Sequence, residues 1–455
     1  MASENVKVRI LEIDKTTPVI AGTDSTDIAF VPGFSILSDA TRTPQLCKTV
    51  AEFTALFGDK PYELTAQDLD VMPVKFGFAV ETMPDPGYIY AKELLGEGMS
   101  VVYANLTPTD ETDTPSYLDM LYNVDENNIV HAADTLKTAL ETIVDKGTYS
   151  VKYITLGGYP AVFKRLEESE DGSVRITGAQ TGLAQDLINV AATRGDAVAL
   201  VDYQLDCEQA VFDLNATGSF YGMMQSTLGS IKDSEFGTMM YPWAVYSSSI
   251  GDIKLPASFA YLMCVARAIK RGPNWLAMAG VARGQVPNIK KLLTPGEILT
   301  NTAAEEMQPK FGRDNQKMSV NCITNIRPYG LTLWGNRTLK PLDENKGTVA
   351  LSFLNTRNMI SDIKKLLYTT AKELMFEQDT DDLWRRFKEG IRPLLDKLKS
   401  GSGIADYQIV RGTTRYNGDP LTRGEVAAVI KVYPLTAVEY FELAVEINDQ
   451  DVTVS

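Results

Sequence analysis

LNTRNMISDIKKLLYTTAKELMFEQDTDDLWRRFKEGIRPLLDKLKSG, residues 354–401, is the stretch whose reading decides the fold. Ile360, Ile363, Leu367 and Leu374 recur at helical spacing, and Trp384, Phe387, Ile391, Leu394 and Leu398 do so again. Two amphipathic helices are expected, joined by the tight acidic turn EQDTDD. There Asp381 or Asp382 would cap the second helix and suit the positive end of its dipole. Pro393 falls inside the second pattern and predicts a kink. After Ser400-Gly401-Ser402-Gly403, read as a flexible turn, the period changes: Ile404–Arg411 and Gly424–Ile447 read as strands. The expectation is a small α+β module that ends in an extended apolar strand and carries nothing catalytic.

Upstream the chain alternates β and α patterns. IAFVPGFSIL (28–37) reads as a strand, TVAEFTALFG (49–58) as a helix stopped by Gly58, and GYIYAKELLGEGMSVVYANL (87–106) as helix, glycine turn and strand. Residues 107–128 are acidic and turn-rich, an expected exposed excursion. HAADTLKTALETIVDKG (131–147) reads as a helix, VKYITLGGYP (151–160) as strand and turn, and TGLAQDLINVAATRGDAVALVDYQ (181–204) as a helix followed by an apolar strand. TMMYPWAVYSSS (238–249) reads as one further strand. This alternation predicts an α/β sandwich with a partly parallel sheet. At the N-terminus Val6, Val8 and Ile10 point one way and Lys7 and Arg9 the other. That segment is either the first strand of the local domain or an arm that pairs with another subunit.

Charge and composition narrow the function. The 455 residues carry a formal net charge of −15, which disfavours direct binding to DNA or to an anionic membrane. No apolar signal core opens the chain and no run approaches 18 apolar residues. Cys47, Cys207, Cys264 and Cys322 are widely spaced and read as reduced, mostly buried thiols of a cytoplasmic product. Gly157-Gly158 follows a strand without any G-x-x-x-x-G-K-[ST] or nearby G-x-G-x-x-G, so a tight turn is the better reading than a phosphate loop. His131 is the only histidine and reads as a surface or cap residue on a helix face; one His with scattered Cys makes no metal cluster. Asp110, Glu111 and Asp113 lack EF-hand spacing, and Arg194-Gly195-Asp196 reads as a helix stop before a strand. No catalytic, cofactor-binding or metal-binding residue is assigned. The β/α alternation of 129–260 nevertheless permits a rival reading, a cytoplasmic α/β enzyme binding a nucleotide or acidic metabolite.

Several blocks, in order, resemble the sheath proteins of contractile-tailed phages and related injection systems. They are Ala51-Glu-Phe…Leu-Phe-Gly58, Arg194-Gly-Asp-Ala-x-Ala-Leu-x-Asp202 and Tyr241-Pro-Trp243. A Pro256-led helix through Ala266-Arg267 then leads into Trp275-x-Ala-x-Ala-Gly-x-x-Arg283-Gly284. Next come Asn325-Ile-Arg327…Gly330…Trp334-Gly-x-Arg337-Thr-Leu339, Asn355-x-Arg357, the Phe376-Glu377 turn and Leu383-Trp384. The chain departs from the common pattern at Tyr329-Gly330, where many members have a Pro-Gly-Arg-type turn. Trp275 reads as core, whereas Arg283 and Arg337 suit ion pairs within or between subunits equally well.

The resemblance implies a mixed α/β and α+β, multidomain sheath fold. Its parts would be an N-terminal arm or linker (1–27), a central α/β sandwich (28–345), an inner C-terminal α+β module (346–437) and a C-terminal strand or arm (438–455). It implies a structural homo-oligomer, not an enzyme and without cofactor, that polymerises around an inner tail tube and contracts to drive that tube through a cell envelope. Its further partners would be baseplate and tail terminator proteins, with no direct nucleic acid or membrane contact, and it would be assembled in the host cytoplasm into the virion tail. Val6, Val8 and Ile10 with Val438, Tyr440, Leu443 and Val445 would carry inter-subunit strand exchange. The basic stripe of the second helix, above all Arg392, Lys397 and Lys399, would face the tube; over 385–399 six basic residues stand against two acidic ones.

Overall fold

The computed structural model describes residues 27–37, 40–65, 82–108, 117–127, 129–168, 174–203, 229–271, 275–286, 288–293, 318–343, 345–415, 418–437 and 439. The first half runs β1 (Ile28–Gly33), β2 (Gln45–Cys47), α1 (Val50–Phe57), β3 (Glu63–Thr65), β4 (Thr82–Pro84), α2 (Pro86–Gly96), β5 (Ser100–Asn105), β6 (Tyr122–Val124), β7 (Val130–Ala132), α3 (Asp134–Thr142), β8 (Tyr153–Ile154), β9 (Phe163–Glu168), β10 (Val174–Gln180), α4 (Gly182–Arg194) and β11 (Val198–Val201). The second half runs β12 (Gly237–Tyr241), β13 (Trp243–Ser248), β14 (Gly251–Leu255), α5 (Ala257–Arg271), α6 (Gly280–Arg283), β15 (Ile289–Leu293), β16 (Asn321–Ile326), β17 (Gly330–Trp334), α7 (Leu354–Glu373), α8 (Asp381–Ser400), β18 (Ile404–Gly412) and β19 (Ala427–Pro434).

Strands covered on both faces read as unbroken apolar runs, and the runs at β1, β5 and β11 do form interior strands of a sheet. Its order is β17-β16-β12-β11-β8-β1-β5-β2. The six inner strands are parallel, while β17 and β2 close the two edges antiparallel. Successive side chains alternate between faces. Ile28, Phe30, Ala199 and Val201 join Leu136 and Leu140 of α3 and Leu183 and Leu187 of α4. Ala29, Val31, Val198 and Leu200 join Phe53 of α1, Leu94 of α2 and Leu262 of α5. The result is a three-layer α/β/α sandwich.

A separate apolar cluster lies downstream. Met359 and Ile363 of α7, Leu394, Leu395 and Leu398 of α8, Ile404 of β18 and Val432 of β19 pack together, with Trp275 reaching in from the segment after α5. Strands β18 and β19 pair antiparallel, Val410 opposite Val429.

Several expectations need correction. Thr380, not Asp381 or Asp382, caps α8: its Oγ1 accepts from the Leu383 N–H at 3.2 Å, and the two aspartates sit in the first turn. The stretch 238–249 is two strands in different sheets, divided at Pro242 because proline donates no ladder hydrogen bond. The final described strand covers only Ala427–Pro434. His131 lies on β7, not on a helix. The second half of the acidic excursion is folded: Leu118, Leu121 and Tyr122 are buried, since an acidic composition does not prevent a few apolar residues from docking on the core. Among the described residues no helix is long and apolar enough to cross a membrane.

Candidate functional site

In an open α/β sheet, ligands bind beyond the carboxyl ends of the parallel strands. Here the protein fills that position itself. Beyond β1, the fully buried Asp85 carboxylate accepts from the backbone N–H groups of Phe34 (2.8 Å), Gly87 (3.1 Å) and Tyr88 (2.9 Å), and from the Tyr159 hydroxyl (2.5 Å). It thus takes the place an anion would occupy at the N-terminus of α2. Gly157 and Gly158 make the tight turn expected of them, both at positive φ, and a Cβ on Gly157 would meet the Pro32 carbonyl oxygen at 2.7 Å. Beyond β11, buried Asp202 accepts from Ser258 Oγ at 2.6 Å. Burial pushes Asp85 up to about 6, against the pull of its donors, and Asp202 up to about 7.

The candidate metal and nucleophile residues are equally occupied. His131 Nδ1 lies 3.0 Å from Asp186 Oδ2 at a half-exposed position. Among the described residues no group of three or more His, Cys, Asp or Glu could hold a metal. Cys47, Cys264 and Cys322 are buried thiols in no disulfide, Cys47 and Cys264 pushed up by burial to about 11 and about 12. Asp110, Glu111, Asp113 and Cys207 lie outside the described residues.

What stands open instead is the edge of the downstream pair. Among the described residues β18 and β19 pair with no strand but each other, so each has one edge without a strand partner there. Val410 and Val429, opposite each other in the pair, and Leu435 just beyond β19 are exposed. The inner side of the pair is fixed by Trp275: its Nε1–H donates to the Gly401 carbonyl at 3.1 Å. A Cβ on Gly401 or Gly403 would meet the indole at 2.5 or 2.8 Å. The turn read as flexible is therefore a packed one, and its glycines are there for close approach.

The basic stripe is only partly free. Lys399 Nζ lies 2.7 Å from Asp406, Arg385 lies 2.6 Å from Asp382, and Arg386 lies 3.5 Å from Glu377. Arg392 and Lys397 are exposed. Trp384 and Phe387 stack with ring centroids 5.5 Å apart and stay only half-buried, because the downstream cluster covers α8 from Ile391 onward. Phe376, in the turn between α7 and α8, is 85% exposed at a φ of 68°.

Of the two arginines left open by the sequence, Arg283 donates through Nε to the Ala277 carbonyl at 2.8 Å. Arg337 is buried and makes an internal pair: Nε and Nη2 reach Glu439 at 2.9 and 2.5 Å, and the guanidinium lies 4.7 Å from the centre of the Phe353 ring. Val6, Val8, Ile10, Val438, Tyr440, Leu443 and Val445 lie outside the described residues. Sequence reasoning missed Asp85, although Asp85-Pro86-Gly87 carries the cap-then-proline signature of a helix start. It also missed Lys152, whose partners lie far away in sequence.

No family model matches the chain. It is 23% identical over 299 residues to the tail sheath protein of Enterobacteria phage T4, covering 61% of this chain and 42% of that protein. It is 22% identical over 207 residues to the tail sheath protein of Vibrio phage KVP40, covering 46% of this chain and 28% of that protein. The matched stretches thus span less than half the length of these relatives. Among solved structures, the anti-feeding prophage baseplate superposes with a TM-score of 0.56 at 14% identity, over 98% of this chain and 99% of the other. The contracted helical sheath of the same prophage gives 0.53 at 14%, over 98% and 100%. The contracted PVC sheath complex of an extracellular contractile injection system gives 0.51 at 14%, over 99% of each chain. The chain is similar in sequence to tail sheath proteins and shares its mixed α/β fold with subunits of contractile injection systems.

Proposed function

We propose that this chain is a structural subunit of a contractile tail sheath, one that polymerises around an inner tube and contracts to drive that tube through a cell envelope. The observation that carries the reading is the likeness in fold to contracted sheath subunits along 98–99% of the chain. The open β18–β19 pair and the self-filled ligand crevice point the same way. The work would come from many copies shifting together between two packings, with no bond made or broken in any one of them.

In this reading residues 28–345 are the body, 346–437 the inner module, and 1–27 and 438–455 arms. Each arm adds a strand to the module of a neighbouring copy. Every added backbone hydrogen bond contributes about 0.5–1.5 kcal/mol net, and such links persist while the globular parts rotate. The inner face of the module meets the tube through Lys397 with Arg392 and Lys399, and the ends of the sheath meet baseplate and terminator proteins. The chain works in the virion tail after assembly in the host cytoplasm, without catalysis, cofactor or direct contact with nucleic acid or membrane.

Electron microscopy of the purified protein tests the proposal. Long tubular polymers are expected. A fixed small oligomer whose melting temperature responds to nucleotides or acidic metabolites would overturn it in favour of an α/β enzyme.

A further inference from the structure

Just before β1 and again five residues after β19, a carboxylate is held by a basic side chain of the body. Asp27 immediately precedes β1 and is 2% exposed. Its Oδ1 lies 2.6 Å from Nζ of Lys152, whose side chain is fully buried. The Tyr153 hydroxyl also approaches Asp27 Oδ1, at 3.4 Å. Beyond β19, both oxygens of Glu439 take the Arg337 fork. The chain reaches Glu439 from β19 after Leu435 has donated to the Gly403 carbonyl at 3.1 Å.

Both clamps also grip α7. The Lys152 ammonium is shared with Asp362 Oδ2 of that helix at 2.7 Å. Arg337 stacks on Phe353, the N-cap of α7, bridges to it through the backbone, and is flanked by the Leu354 N–H donating to Asn336 O at 2.9 Å. Phe353 and Asp362 are nine positions apart, so the two points lie about 13 Å apart along one helix axis at 1.5 Å per residue. Between them α7 is held by further polar contacts: Asn355 donates to Trp275 O at 3.2 Å, Arg357 to Gly195 O at 3.2 Å, and Asn358 to the Tyr261 hydroxyl at 2.7 Å.

A buried ammonium and a buried guanidinium are costly choices for stability alone, since apolar residues of similar volume are often as good. Ion pairs and forked hydrogen bonds are directional, and they fix where a segment leaves better than apolar contact does. We propose that the molecule is built to bear load between its two terminal segments, along α7, through the Asp27–Lys152–Asp362 and Arg337–Glu439 clamps. A pull on either end then enters a rigid helix instead of peeling β1 or β19 from its neighbour.

In the proposed sheath such a path would carry tension from copy to copy. The clamps act within a single molecule, so the load path can hold or fail whether or not the chain assembles. The test is constant-force unfolding in an optical trap, on the full chain with handles at its two termini. Glu439→Gln and Asp27→Asn should each raise the unfolding rate about tenfold over wild type. With handles moved to exposed Glu126 and Ser249, the same variants should change the rate no more than the core variant Ile323→Val does. Glu439→Gln decides the matter if Asp27→Asn does not fold, because the Glu439 side chain is 32% exposed and its amide leaves the core intact. Unchanged rates in the terminal geometry, or equal acceleration in both geometries, would reduce the clamps to ordinary stability contacts and overturn the proposal.

Discussion

Asp202 shows how much a single residue can ask of this fold. Its carboxyl is buried, takes the Ser258 hydroxyl on Oδ2, and leaves Oδ1 without a hydrogen-bond partner among the described residues. Burial holds it up at about 7, from an ordinary value of 3.8. Because the folded value is the higher one, its stabilising contribution is full below pH 4. It is lost as pH rises towards 7, where the unfolded chain has already released its proton. Asp202→Asn removes that slope. The variant is expected to gain on wild type between pH 4 and pH 7 and to keep the gain at pH 8, by an amount on the order of a few kcal/mol. Melting curves at pH 4, 6 and 8 check this; a difference that does not change with pH would refute it. Trp275 makes the opposite kind of contribution. It fills the space left by Gly401 and Gly403, so Trp275→Ala is expected to cost about 3–5 kcal/mol. A fall in melting temperature should appear together with loss of protection in β18 and β19 by hydrogen exchange.

At the scale of elements, α8 divides into two parts. Its C-terminal half buries Ile391, Leu394, Leu395 and Leu398, while its basic residues face outward and several are neutralised within the chain. Lys399 is a poor place to probe tube contact, since Lys399→Glu would set a second carboxylate against Asp406. Lys397→Glu alone is cleaner. It is expected to leave the stability within about 0.5 kcal/mol of wild type and to weaken assembly on tubes, with wild-type assembly falling as salt rises. Co-sedimentation with tubes across a salt series measures this. Equal binding of variant and wild type at low salt would leave the stripe as a solvated helix face, in keeping with the small contribution of about 0–1 kcal/mol from exposed pairs.

For the whole molecule the question is how copies hold together while their bodies move. Deleting residues 1–20 should leave a soluble chain with wild-type melting that forms no contractile mesh. Normal sheaths that contract intact, seen by negative-stain microscopy, would remove the N-terminal arm from the mechanism. Val445→Pro takes away one ladder donor from the segment proposed as the C-terminal strand. It should impair assembly more than it lowers the melting temperature; equal losses would argue that the segment pairs within its own chain.

The sequence by itself determined what depends on near neighbours. The spacing of apolar residues set α7 and α8, the unbroken apolar runs set the inner strands of the sheet, and glycines marked helix stops at Gly58 and Gly195. These are legible because side-chain direction repeats every 3.6 or 2 residues, whatever lies elsewhere. Tertiary structure alone decided which charges are solvated and which are structural. Lys152 and Asp362 are separated by 210 positions, and Arg337 and Glu439 by 102. It decided that Pro242 sends one apolar run into two sheets, and that Trp275 closes the downstream cluster instead of the sandwich core. It also left Trp384 and Phe387 half-uncovered although their spacing matches that of the buried leucines. The reason is physical: periodicity is a local property of the backbone, whereas a buried charge or a covered face requires a partner that only the folded chain brings within reach.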